Sequence, residues 1–403
     1  MALPRVKIFF ETGALGLTSP SPDGLLGLIT NGNSVTGTFE LNKPYMLNSF
    51  DALAALGIAE SNNPAIHKLV REFYAEAGDG TQVYLMGVGG ASNMTDMLDY
   101  TNVNAARKLV EVSNGAIRGI VVSHAPNSGY VPTIEAGLDA DVYTAIAKAQ
   151  ELGNWATESK YAPIFVMVEG RNYQGDATLL RDLTQQSDNR VGVLIGDTLT
   201  NTNGAAMGLL AGRIAKSAVQ RNIGRVADGA VNSLTAFIDD TAAELVDVAQ
   251  LHDKGFISFR NFVGRSGYYF TDDGLATLPN DDYRYLTYRR TIDKAYRIGY
   301  ATCLDFLLDE IPVTTEGKLL PAHVISWQGI VESAIANQMT VNGELSSDPS
   351  DPNDRGVQCF IDANQNVIST GKLVIKLRVR PFGYARFVDV FLGFTIINAT
   401  TDV

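Results

Sequence analysis

Two runs of alternating apolar and polar residues fill most of the last part of the chain. They cover residues 372–380 and 386–397 and are separated by Pro381. The apolar positions in phase are Leu373, Ile375, Leu377 and Val379 in the first run, and Val388, Val390, Leu392, Phe394 and Ile396 in the second. Successive side chains of a β-strand point to opposite faces, so each run places its apolar residues on one face. The pattern predicts two strands, the second of which almost reaches the end of the chain.

A shorter alternating run lies near the other end. Val6, Ile8 and Phe10 alternate there with Arg5 and Lys7. Terminal segments usually fray unless they are tied down, and an unpaired apolar edge strand promotes aggregation. We therefore expect both terminal strands to be paired. Their partner is either the chain's own sheet or the open sheet edge of a neighbouring copy.

The middle of the chain alternates between apolar, β-branched runs and helical patterns. The predicted strands are 25–29, 35–41, 83–88, 117–123, 163–168 and 191–195, and the predicted helices are 49–56, 65–77, 139–152, 177–185, 205–219, 241–251, 291–309 and 325–339. Apolar strands separated by helices indicate an α/β fold with a central, mainly parallel sheet covered by helices. The predicted division is an N-terminal arm and linker (1–22), an α/β domain (23–253), a C-terminal core domain with α+β character (254–385) and a C-terminal arm (386–403).

The predicted helix 291–309 carries its charges against the helix dipole. Arg290, Lys294 and Arg297 lie near its beginning, whereas Asp305 and Asp309 lie near its end. Each such charge costs about 0.3–1 kcal/mol when it is exposed at low salt. Two interpretations stay open: the polar face is solvated, or an acidic partner docks on the basic end.

Composition excludes several classes of protein. With 45% hydrophobic residues among 403, the chain is not disordered as a whole. A formal net charge of -12 disfavours nucleic acid as a partner. Two cysteines are too few for a disulfide scaffold, and no apolar run is long enough to span a membrane. We expect a soluble protein that is made in the cytoplasm.

Motifs for catalysis or cofactor binding are missing from the sequence. The four histidines have no metal-ligand spacing, and there is neither a phosphate-binding loop nor a serine nucleophile elbow. Asp362 begins a segment like a calcium loop, but Val367 replaces the glycine of its sharp turn. The carboxylate pairs are interpreted as polar turns without a desolvating pocket: Asp239–Asp240, Asp272–Asp273 and Asp281–Asp282. We therefore expect no catalytic residue, no cofactor and no metal site.

The order of the segments resembles the sheath proteins of contractile phage tails and related injection machines, in particular a shorter branch found in prophages. The start, Pro4-Arg5-Val6-Lys7-Ile8, is similar to the sheath N-terminal strand, with Arg5 where sheaths commonly have glycine. Residues 42–57 and 70–85 resemble the next sheath segments, and 289–294 resembles the opening of a sheath core helix. Gly371 to Ile375, Pro381 and the run 387–397 match the sheath terminal pattern, whereas 117–249 is only loosely similar.

The resemblance implies a structural subunit, not an enzyme, in a helical tube of stacked rings. Terminal arms of adjacent subunits would complete one another's sheet, and contraction would drive an inner tube through an envelope without nucleotide. The implied partners are further copies of the chain, an inner tail tube protein, and baseplate and tail terminator proteins. The particle would assemble in the bacterial cytoplasm and become a virion tail or an injection particle.

Two sets of residues are candidates for these contacts under the resemblance. The linking arms would use Val6, Ile8, Phe10, Val388, Val390, Leu392, Phe394 and Ile396. The C-terminal domain would face the tube, with Arg290, Lys294 and Arg297 as docking candidates and Lys376, Arg378 and Arg380 as a second choice. Two other interpretations stay open. One is another virion component, such as a baseplate or capsid protein. The other is a doubly wound enzyme or nucleotide binder with its ligand at the strand ends.

Overall fold

Six strands form one central sheet in the computed structural model, which describes residues 22–394. We name these strands β1 (Leu26–Asn31), β2 (Tyr45–Leu47), β3 (Val83–Val88), β4 (Gly119–Val122), β5 (Phe165–Glu169) and β6 (Val191–Leu194). Their order across the sheet is β2-β3-β1-β4-β5-β6. Only β2 runs antiparallel to its neighbour, so the predicted mainly parallel sheet is confirmed.

Helices cover both faces of this sheet, and every residue of β1, β4, β5 and β6 is buried. The longer helices are α1 (Pro64–Ala77), α2 (Ala106–Val112), α3 (Ala140–Lys160) and α4 (Met207–Lys216). Two glycines let α4 approach α1 closely. A Cβ on Gly208 would lie 2.1 Å from the Leu69 carbonyl oxygen, and one on Gly212 would lie 2.5 Å from the Phe73 carbonyl oxygen. Any side chain at these positions would force the two helices apart.

Short elements complete the first domain. Three short helices span Ala52–Ala55, Met94–Leu98 and Ala249–Asp253. Four pairs of short strands form separate two-stranded sheets: Ile134–Glu135 with Leu138–Asp139, Ser187–Asp188 with Ala276–Thr277, Phe237–Ile238 with Thr241–Ala242, and Phe259–Phe262 with Arg265–Phe270. The hydrophobic core of this domain continues as far as Leu286.

Three local predictions were wrong. The predicted helix 177–185 is two separate turns, because Asp176 and Asp182 accept the backbone N–H groups of Thr178 and Thr184 and each starts a turn of its own. The predicted strand 35–41 is a turn closed by one bridge. The predicted helix 241–251 contains a strand, a 3-10 turn and the start of a short helix.

The second domain consists of two helices packed on a two-stranded antiparallel sheet. The helices are α5 (Leu286–Cys303) and α6 (Pro321–Ile335), and the strands are β7 (Val357–Ile361) and β8 (Ile375–Val379). A short helix, Val367–Thr370, precedes β8. The buried core between these layers consists of Ala295, Ile298, Leu319, Val324, Trp327, Val331, Ile335, Met339, Leu345, Cys359 and Ile361. None of the helices within residues 22–394 is long and apolar enough to cross a membrane.

Candidate assembly surfaces

Strand β8 has one face on the helices and one face in solvent. Leu373, Ile375, Leu377 and Val379 are half-buried, as their alternation predicts. The opposite face is exposed and carries the second group of docking candidates, Lys376, Arg378 and Arg380. Phe360 on β7 lies opposite Lys376 and leaves 55% of its surface exposed.

The two outer edges of the β7–β8 sheet differ. At the β7 edge, the Cys359 N–H donates to Glu332 Oε1 at 2.8 Å, and the Cys359 carbonyl accepts from Gln328 Nε2 at 2.9 Å. Side chains of α6 thus satisfy this edge. Because Cys359 turns its backbone groups away from β8, its cross-strand partner Leu377 turns its own groups away from β7. Within residues 22–394, no backbone group pairs with that outer edge of β8.

The chain after Arg386 leaves the body of the molecule. Residues 387–394 form no hydrogen bond with the described part of the chain and no regular secondary structure. Their large apolar side chains are 75–106% exposed: Phe387, Val388, Val390, Phe391, Leu392 and Phe394. A contiguous apolar segment in solvent marks an interaction site rather than an ordinary surface. The other predicted arm residues, Val6, Ile8, Phe10 and Ile396, lie outside the described residues.

The exposed segment is attached through Tyr384 and Arg386. The Tyr384 hydroxyl donates to the Gln220 carbonyl. The Arg386 guanidinium lies 3.3 Å above the ring of Tyr285, and Arg386 Nε donates to Asp272 Oδ2 at 2.7 Å. We call Asp272, Asp273 and Tyr285 together the arginine socket.

The two socket carboxylates have opposite electrostatic properties. Asp273 is fully buried, and burial, followed by the adjacent charge of Asp272, raises its pKa to about 7. Burial also acts on Asp272, but the His252 imidazole 3.6 Å away and the hydrogen bond from Arg386 outweigh it and hold the pKa of Asp272 below its usual range. The sequence interpretation of Asp272–Asp273 as a polar turn without a desolvating pocket is therefore wrong. No local pattern could have revealed it, because Asn222 and Arg386, which contact both carboxylates, are at least 50 residues away.

The first group of docking candidates lies between the two domains. Lys294 Nζ is 2.7 Å from Asp23 Oδ2 and 2.6 Å from Glu344 Oε2. Arg290 is 4% exposed and donates to the Ser217 carbonyl at 2.8 Å, and burial lowers its pKa to about 10.

Arg297 donates to the carbonyls of Ile117 and Pro163, which precede β4 and β5. We call Arg290, Lys294, Arg297, Asp23 and Glu344 the interdomain joint. These basic side chains are engaged inside the chain, so neither a solvated face nor an external acidic partner explains their position on α5.

The second group of basic residues remains available on the outer face of β8. Arg380 pairs with Asp354 at 2.6 Å. Lys376 and Arg378 have no carboxylate within ion-pair distance in the part of the chain that the structure describes. In a chain with a net charge of -12, two adjacent cations without an anion form a distinct surface feature.

A polar cleft of about 280 Å³ lies at the carboxyl ends of the central strands, where doubly wound proteins bind ligands. Its charged groups pair with each other: Lys68 lies 2.9 Å from Glu72 and 2.7 Å from Asp197. Glu169 accepts the backbone N–H groups of His124 and Ala205. Among residues 22–394, no three His, Cys, Asp or Glu side chains are placed to hold a metal ion.

Comparison with known families matches nearly the whole chain. Residues 3–274 match the family described as DUF2586, N-terminal domain, and residues 282–398 match DUF2586, C-terminal domain. None of the curated proteins shows significant similarity to the sequence.

Solved structures share the fold over almost the full length of the chain. The anti-feeding prophage baseplate structure matches with a TM-score of 0.64 at 16% identity, over 98% of this chain and 100% of the other. The sheath complex of the PVC extracellular contractile injection system, in its contracted state, matches with a TM-score of 0.57 at 15% identity, over 98% of both chains. A sheath tail protein from Desulfitobacterium hafniense matches with a TM-score of 0.50 at 11% identity, over 89% of this chain and 94% of the other. The resemblance to contractile sheath proteins is confirmed at the level of the fold.

Proposed function

The chain belongs to the DUF2586 family, and we propose that it is the structural subunit of a contractile sheath that polymerises around an inner tube through exchanged terminal strands. One observation carries this proposal. Among residues 22–394, neither the outer edge of β8 nor the apolar arm at 387–394 has a backbone hydrogen-bonding partner. An edge on one copy and a strand on the next form a head-to-tail contact, which repeats without limit unless a ring closes it.

Addition of a strand would stabilise both the β7–β8 sheet of one copy and the arm of the next. The β7–β8 sheet already packs on α5 and α6, and a third strand would pair the backbone groups along the outer edge of β8. The arm residues Val388, Val390, Leu392 and Phe394 would extend the apolar face that β8 already presents to α5 and α6. The N-terminal arm, with Val6, Ile8 and Phe10, would supply a further strand. Since α6 side chains occupy the β7 edge, both added strands would lie on the β8 side.

Docking of the inner tube belongs to the exposed face of β8. Strands that add in the plane of the sheet leave its outer face open, so Lys376 and Arg378 stay accessible after assembly. We assign the tube contact to these residues, with Arg380 at their edge. Arg290, Lys294 and Arg297 serve the interdomain joint instead.

The remaining elements of the proposal are supported by the resemblance to sheath proteins. Contraction would drive the tube through an envelope by repacking of subunits, and the ion-paired cleft at the strand ends is not assigned a nucleotide. Baseplate and tail terminator proteins would close the two ends of the tube. Assembly would take place in the bacterial cytoplasm, and the finished sheath would be part of a phage tail or an injection particle.

Deletion of residues 386–403 tests the proposal directly. The purified full-length chain should form long striated tubes or sheets in negative-stain images, and the truncated chain should sediment as single subunits. Tubes formed equally well by the truncated chain would contradict the proposal.

A second candidate function is a baseplate component, because one of the matched structures is a baseplate. A baseplate subunit would share the fold and the head-to-tail contact but would stop at closed rings. Rings that do not elongate in the same images would favour this candidate over the sheath.

A further inference from the structure

We propose that the arginine socket is a guanidinium-binding site that holds Arg386 and thereby fixes the point at which the C-terminal arm leaves the subunit. The inference rests on the proposed function in one respect, namely that residues 386–403 form the linking arm. The site itself is defined by contacts inside one chain.

The socket has the groups that recognise a planar cation. Asp272 Oδ2 accepts from Arg386 Nε at 2.7 Å, and Asp273 Oδ1 lies 3.4 Å from Arg386 Nη2. The Tyr285 ring lies beneath the guanidinium plane at 3.3 Å, an arrangement that a guanidinium satisfies better than an ammonium.

The socket is rigid because other elements hold its carboxylates. Asn222 Nδ2 donates to both carboxylates, at 2.5 Å to Asp272 and 2.7 Å to Asp273. The second oxygen of Asp273 accepts the Thr287 N–H in the first turn of α5 at 2.8 Å. Two carboxylates that are oriented before the arginine arrives lose little entropy when they bind it.

The position of Arg386 in the chain gives the socket its role. The next residues, 387–394, form no hydrogen bond with the described part of the molecule, so Arg386 is the last contact before the exposed apolar segment. With Arg386 bound, the arm starts from a fixed point. Without this contact, the arm would start from Tyr384 and sample a wider range of directions. Arg386 therefore acts as a positioning residue for strand exchange.

Trypsin cleavage tests the socket, because trypsin must accept the side chain of Arg386 to cut the Arg386–Phe387 bond. The experiment uses full-length chains with Leu377→Pro, in which the β8 edge cannot accept a strand, so that unassembled subunits are compared. In the Asp272→Asn variant, cleavage at Arg386–Phe387 should accelerate about tenfold, since a neutral amide oxygen accepts a weaker hydrogen bond from Arg386 than the carboxylate does. Cleavage at Arg355–Gly356, in an exposed loop, is the internal control and should keep its rate.

Two further variants keep the test decisive. Asp272→Asn is uninformative if it accelerates both cleavages through general unfolding. In that case Tyr285→Leu is the test variant, because this substitution removes the ring beneath the guanidinium and leaves both carboxylates in place. Arg386→Lys should be cut at position 386 faster than the parent, because lysine keeps the charge but loses the planar contact. Unchanged cleavage at position 386 in Tyr285→Leu and in a folded Asp272→Asn variant would overturn the proposal.

This outcome is independent of the sheath assignment. Rapid cleavage in the socket variants, together with a failure of the unmodified chain without Leu377→Pro to form tubes, would support the socket and contradict the proposed function. Tubes from the unmodified chain together with unchanged cleavage after Arg386 in the socket variants would support the proposed function and contradict the socket.

Discussion

Cys359 and Leu377 are cross-strand partners in the β7–β8 sheet, and their outward backbone groups have different partners. Those of Cys359 bond to Gln328 and Glu332 of α6, whereas those of Leu377 have no partner within residues 22–394. Among residues 22–394, the β7 edge is therefore satisfied and the β8 edge is open to an added strand.

Leu377→Pro should abolish polymerisation while leaving the subunit folded. Proline removes the outward N–H that an added strand would use, and proline is tolerated on edge strands. Leu377→Ala is the matched control, because it removes the same half-buried side chain but keeps the N–H group. Sedimentation velocity should find single subunits for the proline variant and tubes for the alanine variant. Polymerisation of both variants would exclude β8 as the acceptor edge.

Lys294→Met should destabilise the subunit by about 3 kcal/mol, because it takes the cation from two carboxylates that are almost fully buried. Thermal unfolding measures this change. Lys372→Met is the matched control at an exposed position, where substitutions usually change stability by less than about 0.5 kcal/mol. Equal melting temperatures for the two variants would show that the interdomain joint contributes nothing to stability.

Lys376→Glu combined with Arg378→Glu should weaken co-sedimentation with the inner tube protein of the same particle. The loss relative to the unmodified chain should be larger at low salt, since salt screens exposed charges. Arg355→Glu changes an exposed cation away from this face and should bind the tube normally. Unimpaired tube binding by the double variant would remove these residues from the docking surface.

Asp273→Asn should change how stability depends on pH. Burial raises the pKa of Asp273 from 3.8 to about 7 in the folded chain, so the folded state binds this proton more tightly than the unfolded state. The resulting stabilisation is complete below the unfolded pKa and is lost as the pH rises through about 7. Asparagine cannot ionise, so the stability of the variant relative to the parent should rise by on the order of 1–3 kcal/mol between about pH 4 and about pH 7 and stay constant above that range.

The melting temperatures of Asp273→Asn and of the parent chain, measured at several pH values across this range, test the prediction. The exposed Asp389 on the arm is the control position for the same chemical change. A constant difference between Asp273→Asn and the parent at all pH values would show that Asp273 does not titrate in this range.

Patterns of neighbouring residues predicted the parts of the fold that depend on local sequence. The apolar runs gave the central sheet, and the predicted strand 83–88 coincides with β3. The alternation in 373–379 gave the half-buried face of β8, because period-two patterning directly reflects a strand with one face on a core. Competition between a capped turn and a helix was harder to predict. Asp176 and Asp182 each cap a turn, and together they prevent the helix that the apolar residues around them favour.

Contacts between distant segments could not be predicted in the same way. The charge pattern of α5 left open a solvated polar face or an external acidic partner, whereas the structure pairs Lys294 with Asp23 and Glu344 of the same chain. Asp273 looks like an ordinary turn residue until Asn222, Thr287 and Arg386 surround it. Whether a charged side chain is buried depends on which distant segments contact it in the fold, and the neighbouring residues in the sequence do not determine those contacts.

Residues near both ends of the described part of the chain attach to the first half of α5. Asp23, next to the N-terminal arm, pairs with Lys294, and Arg386 at the start of the C-terminal arm binds the carboxylates that cap the first turn of the helix. In an assembled sheath, tension that enters a subunit through one terminal arm would be transmitted to the other arm through α5. The socket and Asp23 belong to the α/β domain, so only loops of that domain away from these contacts would carry no load, and substitutions there would leave the connection between the two arms intact.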